Sequence, residues 1–181
     1  MQAQMLAPAA VLVVWTLIVL LWIIPARFGA VAKVADKSVL PSKPGVRGND
    51  LEGVIPDKAN WPAHNHTHLH EQPTLFYATV MILALMGPSA LDVTLAWAYV
   101  ALRILHSVWQ NIVNTIPVRF TLFILSTFAL IALAMGGHLA AVALGFVVAF
   151  AAAVLEGGDL RRAVLVDDLG ADDRALDERV A

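Results

Sequence analysis

The chain has 181 residues, of which 59% are hydrophobic and 14% charged, against roughly 45–50% apolar and about 25% charged in an ordinary soluble domain. Its formal charge of −2 shows no basic excess that would attract nucleic acid. The lack of any cysteine excludes disulfides, thiolate metal sites and a cysteine nucleophile, so any thiol chemistry must bring its sulfur in on a small molecule.

The apolar residues fall in long runs, which is the pattern of an all-α integral membrane protein. The first run, Pro8 to Ile24, has no positive charge ahead of it. It is also longer than the core of about 7–15 residues in a cleaved signal peptide. It reads as a first span over residues 8–24. Residues 25–60 change character to Gly, Pro and charge, so a loop is expected there, with one short interfacial helix near Phe28 to Val34. Asp57 or Asn60 can cap a second helix with Pro62 in its first turn, giving a span over 62–86 that stops at "GPS". A third span is predicted over 91–115, ended by Pro117, and a fourth starts at Val118.

The last apolar stretch, Val118 to Leu155, would be roughly 57 Å long as one helix, against a hydrocarbon core of about 30 Å. "MGGH" at Met135–His138 divides it into spans 118–135 and 139–155. Charge favours this division. Arg27, Lys33, Lys37, Lys43, Arg47 and Lys58 place the first loop in the cytoplasm, and only a fifth span returns Arg161 and Arg162 to that side. The predicted architecture is an up-down bundle over residues 1–158, with four spans plus a fifth C-terminal one. A polar, acidic and solvated tail follows over 159–181.

Two formally charged side chains lie well inside the predicted spans, Glu71 and Arg103. Intramembrane charges face a partner or a wet cavity. Their depths match if the second and third helices are antiparallel, so an ion pair is the simplest reading of both. Helical phase puts His64, His68 and Glu71 on one face of the second helix, with His66 and His70 nearly opposite. On the third helix Arg103, His106, Ser107, Gln110 and Asn114 form a polar stripe, and Arg119 stands at the cytoplasmic start of the fourth. These groups can converge on one cavity open to the cytoplasm. The i, i+4 histidine pairs suit zinc, but they alternate faces and lack a metalloprotease glutamate, so polar packing near the headgroups is the simpler reading and no metal is expected.

"HLHEQPTLFY" followed by "AWAYVALRILHSVWQNIVNTIPVRF" resembles the MAPEG family, membrane-associated proteins in eicosanoid and glutathione metabolism, and especially its bacterial branch. The resemblance spans about Ala63 to Phe128 and includes Arg103-x-x-His106 and Pro117-x-Arg119. It implies a four-span bundle assembled as a homotrimer, with glutathione bound as co-substrate at cytoplasm-facing sites between subunits. Arg119 matches the arginine that stabilises the glutathione thiolate; Glu71, Arg103 and His106 match ligand-site positions. The chain departs from the family pattern at His64 (arginine), His68 (asparagine) and Gln110 (tyrosine). Phe120 and Phe123 replace the Ser and Tyr of the prostaglandin-isomerase branch, which weighs against that reaction. A glutathione-dependent transferase or peroxidase acting on lipophilic electrophiles in a bacterial inner membrane is the leading expectation. A non-enzymatic lipid-binding or scaffolding protein and a histidine-based metal site are the alternatives.

Overall fold

The computed structural model describes residues 1–136 and, beyond them, Ala149. The expected fifth span, 139–155, and the tail, 159–181, therefore lie outside the described residues, apart from that one position.

Four α-helices account for most of the described chain: α1 (Gln2–Lys33), α2 (Asp57–Met86), α3 (Ala90–Ile112) and α4 (Ile116–Ala134). There is no strand among the described residues. The protein is an all-helical membrane bundle. Among the described residues three helices, α1, α3 and α4, are long and apolar enough to cross a bilayer. α2 is long enough at 30 residues, but its first half carries four histidines and a glutamate and falls short on apolarity.

The packing follows from the periodicity. α1 buries Met5, Pro8, Leu12 and Val19, with Trp15 half-buried between the last two. These spacings alternate three and four residues, the heptad rhythm that keeps one seam of a helix against its neighbours. α2 answers with Asn65, Leu69, Pro73, Phe76, Val80 and Ala84. The apolar half of the core is closed by Leu95, Tyr99 and Val100 of α3 and Leu130 and Leu133 of α4. Phe76 stacks on Tyr99 with ring centroids 4.4 Å apart. The outward side chains of α1, such as Leu17 and Leu21, are exposed and suited to lipid.

The helix ends differ from the sequence expectations in instructive ways. α1 does not stop before Pro25; it runs on to Lys33, so the connecting loop begins at 34 rather than 25. A proline removes one ladder bond, and in a membrane helix neighbouring groups make up that loss. Lys37 then folds back and donates from Nζ to the carbonyls of Val31 (2.8 Å) and Ala32 (3.2 Å), satisfying the end of the helix. α2 begins at Asp57 with Pro56 as its cap, and Asn60 is buried within the helix rather than capping it. Arg27 Nε donates to Asn60 Oδ1 at 3.2 Å, tying the ends of α1 and α2 together.

The turn between α2 and α3 is tight. Gly87 adopts φ 90°, which favours glycine, and ends α2. Ser89 and Asp92 form a reciprocal capping box on α3, with Asp92 Oδ2 accepting from Ser89 N at 2.8 Å. α3 ends at Ile112, short of the 115 expected, because Asn114 takes φ 58° and turns the chain into α4. Asparagine tolerates that left-handed conformation better than most residues.

Candidate functional site

The polar half of α3 faces inward: Arg103, His106, Ser107, Gln110 and Asn111 are all buried. A helix that turns charged and amide groups to the core must find them partners. Asn65 of α2 supplies several. Its Nδ2 donates to Ser107 Oγ (2.6 Å), Ser107 O (3.2 Å) and Asn111 Oδ1 (3.0 Å). Trp15 Nε1 of α1 donates to the same Ser107 hydroxyl at 2.8 Å. Three helices thus share one polar knot.

One turn further along α3, Arg103 is 1% exposed. Its Nη2 donates to the carbonyl of His68 at 2.8 Å, whereas Nε and Nη1 find no hydrogen-bond partner among the described residues. The ring of Phe123 lies 5.9 Å from its Cζ, within cation–π range. His106 sits between His68 (ring centroids 6.2 Å) and Phe123 (6.4 Å). His68, Arg103, His106 and Phe123 therefore form one cluster built from α2, α3 and α4. Below it Gln72 donates to Thr127 Oγ1 at 2.6 Å, which fixes α2 against α4.

The expected Glu71–Arg103 ion pair does not form. Glu71 points outward and accepts from His68 Nδ1 at 3.1 Å, both side chains being partly exposed. The helix phase explains this: Leu69, Pro73 and Phe76 take the core side of α2, so Glu71 is turned away from α3. His64 also leaves the cluster and pairs at 2.9 Å with Glu52 of the connecting loop. Gln110 is buried on α3, with Oε1 unpartnered among the described residues. His66 and His70 meet in a tilted ring contact, with centroids 4.3 Å apart. Among the described residues no three His, Asp or Glu side chains converge into a metal-binding group.

Arg119 is half-buried in the first turn of α4. Its Nη1 donates to Asn114 Oδ1 at 2.7 Å. The left-handed Asn114 thus has two effects: it turns the chain and holds the guanidinium. Among the described residues no carboxylate pairs with Arg119. Arg119 stands at the start of α4 and the stripe on α3 as the sequence suggests, except that Asn114 lies past the end of α3, in the turn. Sequence reasoning missed Asn65, Asn111 and the cover of Phe123. The spacing of Asn65 from Leu69, Pro73 and Phe76, all on the buried seam of α2, was a signal that could have found the first.

The MAPEG family model matches residues 5–139. The chain belongs to the MAPEG family. The match takes in all four helices and every residue of the cluster. No curated protein and no solved structure matches the chain. The chain is therefore a MAPEG-family integral membrane protein.

Proposed function

We propose that this MAPEG protein is a glutathione-dependent transferase or peroxidase acting on lipophilic electrophiles, in a bacterial inner membrane, at cytoplasm-facing sites between the subunits of a homotrimer. The observation that carries the reading is Arg119: a guanidinium held in place by Asn114, with no carboxylate claiming its charge among the described residues. Such a cation lowers the pKa of an adjacent thiol and yields the nucleophile. The thiol proton goes to solvent. In transfer, the thiolate sulfur forms a bond to the electrophilic carbon as the leaving group departs with its electron pair. In peroxide reduction, the sulfur takes the distal oxygen and releases an alcohol; a second glutathione then completes the disulfide and releases water.

The intersubunit placement draws support from α2. Thr67, His70, Glu71 and Thr74 are exposed on the isolated bundle. Polar groups at that depth are costly against lipid, and a second copy of the chain would cover them. His68 and Glu71 on that face, with Arg103, His106 and Gln110 behind them, are the polar groups proposed to hold the tripeptide. His64, bound to Glu52, would join them only from the loop.

Phe120, 56% exposed immediately after Arg119, favours the second reading, a lipid-binding or scaffolding bundle whose apolar cleft takes up a lipophilic molecule without chemistry. Calorimetric titration of the purified protein with glutathione, together with thiolate absorbance, separates the two. Saturable binding with a thiolate signal is expected. Neither binding nor signal would leave the lipid-binding reading.

A further inference from the structure

We propose that the groove between the cytoplasmic ends of α1 and α2 is a binding site for an anionic phospholipid, seated independently of the glutathione reading. The groove encloses about 510 Å³. Ala26, Gly29 and Ala30 of α1 form one wall, Val54 and Pro56 of the loop and Ala59 of α2 the other, and Lys33 and Lys58 stand at its edge.

Three observations point to this occupant. The first is charge. Of the basic groups nearby, Arg27 is engaged with Asn60 and Lys37 with the α1 carbonyls. Lys33 makes no hydrogen bond or ion pair within the described chain. Lys58 only leans over the ring of Trp61, 5.8 Å from its centroid. Two ammonium groups are thus left beside an apolar slot, the complement of a phosphate on acyl chains.

The second is depth. The six cationic residues of the first loop and its flanks put this end of the bundle on the cytoplasmic side, where anionic lipid concentrates. Phe28, 72% exposed on the same turn of α1, marks the level of the interface. The third is space. A Cβ on Gly29 would meet no atom within 4 Å, so this stretch of α1 is left open rather than packed by the protein.

The test uses the full chain in phosphatidylcholine vesicles carrying traces of spin-labelled phosphatidylglycerol or spin-labelled phosphatidylcholine. The wild type should immobilise phosphatidylglycerol in preference. Replacing Lys33 and Lys58 with glutamine should reduce that preference by up to about fivefold per lysine, whereas Lys43→Gln with Arg47→Gln, outside the groove, should leave it unchanged. Gly29→Leu fills the slot while keeping every charge, and should lower the immobilised phosphatidylglycerol with helical content intact. The proposal is overturned if the wild type shows no preference, or if the preference survives loss of both edge lysines. It is equally overturned if the Lys43/Arg47 variant loses as much, if Gly29→Leu changes nothing, or if inorganic phosphate at matched concentration displaces the lipid, which would make this a free-anion site.

Discussion

Arg119 and Asn65 show how differently two polar residues of one membrane bundle can be used. Arg119 has one fixing hydrogen bond and otherwise unclaimed charge. If it stabilises a thiolate, Arg119→Ala should abolish the thiolate signal and depress turnover of a chlorodinitrobenzene, with the folded bundle intact. One unit of thiol pKa is worth about 1.4 kcal/mol. Arg119→Lys restores charge but not the forked geometry, so an intermediate rate is expected. Asn65, in contrast, spends its donors on Ser107 and Asn111. Asn65→Ala removes those bonds and orphans buried acceptors, and should cost about 1–2 kcal/mol in detergent unfolding. Glu71→Gln, on the exposed face, should stay within about 0.5 kcal/mol in the same measurement. A large loss for Glu71→Gln would restore the buried ion pair that the helix phase denies.

At the scale of helices, the turn chemistry governs where each span begins. Ser89→Ala removes the acceptor for Asp92 N, bonded at 3.2 Å, and should lower thermal stability by about 1 kcal/mol, while Thr94→Ala, which only bonds its own helix, should not. The apolar runs made the helices legible in the sequence, because burial of whole runs in lipid leaves little alternative. The "GPS" stop of α2 was equally legible, since Gly and Pro act through local sterics, whereas α4 opens at Ile116 with Pro117 inside its first turn, two residues before the expected Val118. The fate of Pro25 was not legible: whether a proline ends or merely interrupts a helix depends on what surrounds it, here the Lys37 cap and the Arg27–Asn60 bond. At the site, the α3 stripe followed from spacing alone. Which face of α2 meets it did not, because both faces of that helix carry polar residues and only packing chooses Asn65 over Glu71.

For the molecule as a whole, the exposed polar face of α2 makes assembly testable. The chain has no cysteine, so single cysteines can be introduced without background. A cysteine at Thr74 on the polar face, together with one at Ile131, exposed at a similar depth on α4, should give disulfide-linked multimers in native membranes if copies meet there. A cysteine at Leu21, 63% exposed on the apolar side of α1, should remain monomeric on the same gel. Crosslinking at Leu21 alone would place the contact between copies on α1 instead.

The polarity of α2 also sets the order in which the chain can enter a bilayer. Its partners come later in synthesis: Ser107 and Asn111 for Asn65, Thr127 for Gln72. A charged residue at the middle of a lone helix costs about 2.5–3.5 kcal/mol on insertion, and α2 has the weakest apolar half to offset it. α1 is apolar enough to partition by itself, whereas α2 is expected to insert only once α3 has emerged to shield it. A chain truncated before α3 should therefore integrate α1 but leave α2 outside the bilayer, as glycosylation mapping of truncated chains in microsomes would show.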